Sequence, residues 1–287
     1  MAETPDTTPV TIVTVAYNSA AVLPAMLGSV PEGVPVVIVD NASRDRDALR
    51  ALAAGDRAII ENAANEGFGR ACNIGAEAAL SEFILFLNPD TVLDAGALDA
   101  LVAAARAYPD ASAFNPLILD EDGRAHLKRR SDLVARARWL PKEPPAQDMA
   151  LPVLSGAALM VRKAAFDSIG GFDPAIFLFF EDDDLSLRLE RACGPLMLAH
   201  SAEVRHVGGA SSEPSRAAER IKNWHWGWSQ IHVVRLHRGL AACAAPFGKA
   251  LLRACSPATL ASGARRRKYA ARLAGMWRAL RGGDAAE

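Results

Sequence analysis

Five apolar residues in a row, Phe83-Ile84-Leu85-Phe86-Leu87, end at Asn88-Pro89-Asp90. An uncharged run without alternation reads as a strand buried on both faces. Proline cannot extend a central strand, so the chain turns there. Asn88 and Asp90 are then left at the carboxyl end of a buried strand, where open α/β sheets place their ligands. One carboxylate beside a neutral amide suits a divalent cation that already carries a diphosphate. Such a cation takes few protein ligands and fills its shell with substrate oxygens and water. Asn-Pro-Asp is also ordinary turn chemistry. Taken alone the triplet reads as a strand-ending turn, and the remaining motifs decide between the two.

Strand and helix alternate ahead of this run. Residues 10–15 are a β-branched strand that stops at Ala16-Tyr17-Asn18-Ser19, and residues 21–30 fit a short helix. Residues 34–39 form a second buried strand, ended by Asp40-Asn41-Ala42-Ser43. A helix over 44–54 and a short strand over 58–60 follow. This order is the signature of a parallel sheet with right-handed crossovers. The Gly-x-Gly-x-x-Gly turn of a dinucleotide fold is missing after the first strand. Tyr17 stands there instead, with a ring able to stack on a base. Asp40 is equally suited to accept from a ribose hydroxyl or base imide and to cap the next helix.

A chain of 287 residues with net charge −1 has room for a sizeable core and no global field directed at nucleic acid. Cys72, Cys193, Cys243 and Cys255 form no Cys-x-x-Cys pair, and with no signal peptide they suggest a reducing cytosol. Residues 1–9 read as a short disordered leader. No apolar run is long enough to span a bilayer.

Asn65-Glu66-Gly67-Phe68-Gly69-Arg70-Ala71-Cys72-Asn73 leads into an Ala-rich helix. Glycines before a helix start let a backbone approach a ligand, and the helix N–H groups then face an anion. Residues 96–107 form an amphipathic helix and 113–119 another strand. Residues 124–150 carry Lys128-Arg129-Arg130 and several prolines with little apolar periodicity, which reads as a mobile surface segment of the kind that forms lids. Phe177-Leu178-Phe179-Phe180 runs into Glu181-Asp182-Asp183-Asp184, and a helix is expected over 185–192. An acidic helix start explains one or two of these acids through the helix dipole, but four beside a phenylalanine run poorly. His206 precedes Val207-Gly208-Gly209, and a helix with Trp224, Trp226 and Trp228 follows. From Lys249 to Arg281 apolar patches alternate with Lys and Arg, which fits a membrane-surface helix, an oligomer contact or a solvated tail.

Together these motifs resemble the inverting GT-A glycosyltransferases of glycosyltransferase family 2, closest to the bacterial rhamnosyltransferase-like branch. The matching stretches are 15–18, 39–43, 65–75, Asn88-Pro89-Asp90, 170–188 and His206-Val207-Gly208-Gly209, in family order. The resemblance implies an α/β, Rossmann-like, mostly parallel central sheet flanked by helices, with a helical C-terminal extension. It divides the chain into a leader (1–9), a GT-A domain (10–238) and a basic helical tail (239–287). Ala16, Tyr17 and Asp40 would hold the nucleoside. Asn65, Gly67, Arg70, Asn73 and Asn88 would line the diphosphate site, and Gly156 the donor sugar. Asp90 and His206 would bind Mg²⁺ or Mn²⁺. Asp182 would be the general base, with Asp183 as the alternative. The wider family carries Asp-x-Asp where this chain has Asn88-Pro89-Asp90, a change shared by the rhamnosyltransferase-like branch that points to dTDP-L-rhamnose as donor. A saccharide or lipid-linked saccharide would be the acceptor and a cell-surface polysaccharide or glycolipid precursor the product. The enzyme would be bacterial and cytoplasmic, at the inner face of the cell membrane if the basic C-terminus makes the contact, with a homo-oligomer as the other use of that surface.

Two rivals remain on the sequence. A sugar-phosphate nucleotidyltransferase would need a Gly-rich, Arg- and Lys-containing loop after the first strand, which Ala16-Tyr17-Asn18 does not provide. A non-catalytic nucleotide-sugar-binding protein would not need Asp90, Asp182 and His206 together.

Overall fold

A computed structural model describes residues 9–53, 55–143, 145–206 and 215–285. Residues 1–8 of the leader and Val207-Gly208-Gly209 lie outside the described residues. The strands are β1 (Val10–Ala16), β2 (Val36–Asp40), β3 (Arg57–Glu61), β4 (Phe83–Leu87), β5 (Thr91–Leu93), β6 (Ala113–Leu119), β7 (Met149–Ala150), β8 (Ala158–Arg162) and β9 (Leu196–His206). The helices are α1 (Leu23–Gly28), α2 (Arg46–Arg50), α3 (Phe68–Glu77), α4 (Ala97–Ala107), α5 (Lys163–Ser168), α6 (Glu181–Ala192), α7 (Arg216–Arg238), α8 (Ala244–Ala254), α9 (Pro257–Leu260) and α10 (Gly263–Leu280).

The strands form one sheet in the order β3-β2-β1-β4-β8-β6-β9-β5, with β7 also on β9. It is parallel over β3-β2-β1-β4 and between β6 and β9, and antiparallel where β8, β5 and β7 join. The expected fold class is therefore present, a mixed and mostly parallel sheet between helices. Every residue of β4 is buried. Its side chains alternate between two cores, as the strand period of two requires. Phe83, Leu85 and Leu87 join Leu23, Met26, Leu98 and Leu101 on one face. Ile84 and Phe86 join Val13, Val39, Cys72, Phe172 and Leu185 on the other. Pro116 sits inside β6, and the ladder to β9 shifts register between Pro116 and Leu117. A bulge there accommodates the missing donor of proline in a central strand.

A third core is helical. Trp228, Ile231 and Val234 of α7 meet Met276 and Ala279 of α10, with Leu133, Val134 and Leu187 brought in from the sheet side. Of 124–150, read as a mobile surface segment, most described residues are exposed or half-buried, but part of it is anchored to this core. Leu133 and Val134 are buried, Gln230 Nε2 donates to Asp132 Oδ2 at 2.6 Å, and Arg138 pairs with Glu190. The apolar positions are too sparse to show a period, yet each falls where a helix surface needs covering.

The crossing of α7 and α10 is tight. A Cβ on Gly275 would lie 2.1 Å from the Trp224 carbonyl oxygen, and one on Gly227 2.1 Å from the Arg272 carbonyl oxygen. Both obstacles are backbone, so Gly275→Ala must push the helices apart. We expect it to lower stability by about 1–3 kcal/mol, the scale of overpacking. Gly248→Ala in α8 meets nothing within 4 Å and should instead stabilise by about 0.5–1 kcal/mol. Urea unfolding of the two variants checks the contrast.

Candidate active site

The carboxyl ends of β1, β2 and β4 converge on one side of the sheet. At the β1 end, the Ala16 carbonyl accepts from Asn41 N–H at 2.8 Å, and Tyr17 is 42% exposed. At the β2 end, Asp40 is fully buried. Its Oδ1 accepts Ser43 N–H at 2.8 Å, so it holds the turn. Its Oδ2 has Arg46 Nε at 3.2 Å but no aligned donor. One oxygen of Asp40 thus keeps its capacity to accept.

The loop before α3 is organised by Asn41, a residue whose role the sequence did not single out. Asn41 Nδ2 donates to Asn65 Oδ1 at 2.9 Å and to the Gly67 carbonyl at 3.2 Å, and Asn41 Oδ1 accepts from Asn62 Nδ2 and Glu66 N–H. Asn65 Oδ1 also accepts Gly67 N–H at 3.0 Å. Gly67 has φ +83°, and a Cβ there would lie 2.4 Å from the Phe177 carbonyl oxygen. That oxygen accepts Phe68 N–H at 3.0 Å. The close backbone approach expected of this glycine is therefore made to residue 177. Arg70 pairs with Glu66 at 3.2 Å on the surface. Asn73 holds Phe172 on both sides, donating to its carbonyl and accepting its N–H, each at 2.9 Å.

The turn after β4 does what its proline demands. Asn88 N–H donates to the Ala157 carbonyl at 2.9 Å, and Thr91 N–H closes back on the Asn88 carbonyl at 3.0 Å. The short β5 then pairs with the end of β9, Thr91 opposite His206. Two residues 116 apart in sequence are thereby juxtaposed, with His206 Nε2 3.2 Å from Asp90 Oδ1. The hydrogen bond to Asp90 raises the His206 pKa above the usual imidazole range against the opposing effect of burial. A carboxylate oxygen and an imidazole nitrogen on one spot are a donor set that fits Mg²⁺ or Mn²⁺. No group of three or more His, Cys, Asp or Glu side chains suited to a metal occurs among the described residues. The pair thus fits a cation that completes its shell with substrate oxygens.

Beside this turn lies the acidic helix start. α6 begins at Glu181, four residues earlier than its apolar pattern suggests, so all four acids occupy its first turn. Phe179 and Phe180 precede it at φ +67° and +66°. Bulky residues seldom take this conformation, and each such residue costs of the order of 1–3 kcal/mol unless its surroundings fix it. Here α7 supplies the fixing contacts. His225 stacks on Phe177 at 4.4 Å, Trp226 meets Phe180 edge-on at 5.4 Å, and Ser229 Oγ donates to the Leu178 carbonyl at 2.9 Å.

The four acids have different fates. Asp184 is wholly buried and pairs with Arg188 at 2.6 Å and with His237 at 2.8 Å. Asp182 Oδ2 accepts Gly156 N–H at 3.1 Å and lies 2.7 Å from Lys128 Nζ. Asp182 Oδ1 accepts the N–H of Asp183 at 3.0 Å. Asp183 Oδ2 takes the same ammonium at 2.5 Å and is the more buried of the two, with a side chain 6% exposed against 17%. Burial and the neighbouring Asp182 push the Asp183 carboxyl up to about 6 despite Lys128. Half-buried Glu181, its Oε2 shielded from solvent, is pushed up to about 8, chiefly by desolvation and then by Asp182, and that oxygen has no hydrogen-bond partner among the described residues. The 155–158 turn is held by Asn115, which accepts Ser155 N–H at 2.7 Å and donates to the Ser155 and Ala158 carbonyls. The candidate residues thus fall into three groups: Ala16, Tyr17 and Asp40 at the ends of β1 and β2, Asp90 with His206, and Asp182 and Asp183 with Gly156. Lys128, Arg46, Asn41 and Asn115 complete them.

Glu181 gives this region a pH signature. Its folded value of about 8 lies above the ordinary 4.5. The folded state then holds a proton that the unfolded chain releases, so stability falls as pH rises from about 4.5 and levels off above about 8. Glu181→Gln removes this loss. Its Tm advantage over the wild type should be small near pH 5 and grow to several degrees near pH 8, since ~1 kcal/mol moves Tm by about 2–4 °C at this size. An advantage independent of pH in calorimetric scans would contradict the assignment.

The sequence profile of Glycosyl transferase family 2 matches residues 11–170. The N-acetylglucosaminyl-diphospho-decaprenol L-rhamnosyltransferase of Mycobacterium tuberculosis is 31% identical over 230 residues, covering 68% of this chain and 75% of that protein. Among solved structures, GalNAc-T7 with UDP, GalNAc and Mn²⁺ superposes with a TM-score of 0.61 at 16% identity, over 97% of this chain and 57% of that one. Residues 1–349 of S. aureus TarS give 0.56 at 15% identity, over 96% and 92%. The mannosyltransferase PcManGT of Pyrobaculum calidifontis, in complex with GDP-Man and Mn²⁺, gives 0.56 at 19% identity, over 95% and 87%. The structural likeness carries the GT-A fold and the sequence matches carry the family, so the chain belongs to glycosyl transferase family 2 and is a glycosyltransferase.

Proposed function

We propose that the protein moves L-rhamnose from dTDP-L-rhamnose, with inversion, onto a hydroxyl of a lipid-linked saccharide. The observation that carries the reading is the acid turn. Asp182 stands at a helix N-terminus within reach of the Asn88–Ala157 contact that joins β4 to β8. A rhamnosyltransferase relative at 31% identity supports the sugar, and its decaprenol-linked substrate supports the acceptor class. Tyr17 and Asp40, whose Oδ2 is set against Arg46, would take the nucleoside. Asp90 and His206 would hold Mg²⁺ or Mn²⁺, which when bound supplies positive charge to the diphosphate. Residues 10–238 would carry the chemistry and 239–287 form the helical extension.

The transfer is one in-line displacement. The acceptor oxygen bonds to the anomeric carbon as the bond from that carbon to the diphosphate oxygen breaks. The acceptor proton passes to Asp182, and the nucleoside diphosphate leaves with the electron pair. Asp182→Asn keeps the shape and removes the basicity. It should leave dTDP binding nearly intact and lower single-turnover transfer by about 10² or more. A larger loss in Asp183→Asn would move the base one position along. Asp90→Ala should instead weaken dTDP binding in Mn²⁺, and equal affinities by calorimetry would remove Asp90 from the metal site.

The lipid-linked acceptor calls for a membrane surface, and no helix among the described residues is long and apolar enough to cross one. Leu251, Leu252, Leu260 and Trp277 are exposed on the C-terminal helices amid Lys249, Arg253, Arg265, Arg267 and Lys268. Apolar side chains ringed by cations suit an anionic bilayer. Because α10 covers Trp228 and Ile231, deleting these helices would strip a core. Point variants are the sounder test. Leu252→Glu with Trp277→Glu should abolish sedimentation with phosphatidylglycerol vesicles at low salt, and failure of the wild-type protein to sediment would point to an oligomer contact.

A further inference from the structure

Three consecutive carboxyl groups, Glu181, Asp182 and Asp183, meet at the start of α6, and Lys128 is the one cation placed against them among the described residues. Asp184 makes no demand on it, because Arg188 and His237 neutralise that residue separately. The charged groups bearing on Asp183 are Lys128 and Asp182, with Ser131 as a neutral donor. Those bearing on Glu181 are Asp182, Lys128 and Asp183. Burial disfavours the charged ammonium, yet the two carboxylates outweigh it and hold Lys128 protonated well above the usual lysine range. An ammonium is a compact point charge with three donors, which suits bridging two carboxylates at 2.7 and 2.5 Å.

Lys128 does not come from the sheet. It lies at the root of a loop closed by the Leu140 N–H to the Arg129 carbonyl at 3.0 Å. That loop rests on α6 through Arg138 and Glu190, and on α7 through Asp132 and Gln230. The placement of the ammonium is therefore fixed by packing 55 residues away from the acids it meets.

We infer that Lys128 is a positioning residue: it is the countercharge shared by the Asp182–Asp183 pair and it aims Asp182, and the segment between β6 and β7 exists in part to deliver it. This rests on Asp182 being the base. A carboxylate that must accept a proton has to enter the reaction without one. Two further acids stand beside it, and the ammonium is the countercharge set against the group. The contact also aims Oδ2, which Gly156 N–H fixes from the other side.

The test compares Lys128→Met, Lys128→Arg and Lys128→Met/Asp183→Asn in the full chain, by two independent readouts. The first needs no substrate. Without the ammonium the folded carboxyls take protons at higher pH than the unfolded chain, so Lys128→Met should lose Tm against the wild type progressively between about pH 5 and pH 8. The double variant should recover much of that loss, and Lys128→Arg should show little of it. The second is turnover of dTDP-L-rhamnose with pH. Lys128→Met should move the acidic limb of the rate profile to higher pH, so that the loss is largest on the acidic side and recovers at alkaline pH, with dTDP affinity unchanged. A Tm gap that does not vary with pH, or a rate loss equal at all pH values, overturns the inference and leaves a packing role. If Lys128→Met fails to fold, Lys128→Arg with the wild-type limb supports the inference, and Lys128→Arg with a displaced limb overturns it. Near-normal turnover by Asp182→Asn would sink the base assignment instead, and the stability readout would still decide whether Lys128 is the countercharge.

Discussion

Burying like charges at one helix start is the constraint around which the rest is arranged. Four consecutive acids occupy the first turn of α6, and the helix dipole offsets only a fraction of their repulsion. The remainder comes from partners on every side. Lys128 supplies charge, Gly156 an N–H, and Arg188 with His237 absorb the fourth acid. Even so, one carboxyl is left to burial and rises to about 8. A purely structural helix would gain by replacing these acids with small or neutral residues. A cluster of carboxyl groups held by specific partners in this way marks a candidate functional site.

The helical layer is part of that site rather than an appendage. The acids are aimed by two consecutive phenylalanines in the left-handed region, a conformation that persists only where contacts over-determine it. Those contacts come from α7, whose His225, Trp226 and Ser229 grip residues 177–180. α7 is in turn fixed by α10 through the glycine crossing at Gly227 and Gly275. The carbonyl of Phe177 then caps Phe68 at the start of α3. Displacement of α10 would thus be felt at both the acid turn and the loop before α3.

What was legible in the sequence follows from the range of each interaction. The strand Phe83–Leu87 and its turn were readable, because burial on both faces and a proline stop are local signals. The meeting of Asp90 and His206 was reached only through family resemblance, since β5 and β9 join across more than a hundred residues. Lys128 lay in plain view within a basic cluster. Nothing local distinguishes a cation that crosses to an acid 55 positions away from one that is solvated. At Gly67 the close backbone approach within the protein is made to Phe177, a contact that no local pattern in the sequence announces. Asn73 and Asn65 show a similar pattern. Both side chains make hydrogen bonds within the protein, to Phe172 and to Asn41 and Gly67. Any contact they make with a diphosphate must use what those bonds leave over.

That last point bears on how the metal pair and the acid turn share their work. Asn88, where the wider family has a carboxylate, adds no charge beside Asp90. A cation bound there would face one carboxylate and one imidazole, and its substrate would have to supply most of the countercharge. Four acids stand beside this turn, and most of their charge is compensated locally, with one negative charge left over where Asp182 and Asp183 share a single ammonium. Asp184 is paired with Arg188 and His237, Asp182 and Asp183 share Lys128, and Glu181 holds its proton at neutral pH. Were these charges exposed, they would draw the cation away from the diphosphate and repel the nucleotide that brings it. Compensating most of the acids locally limits the negative charge that this helix start presents to the Asp90–His206 side.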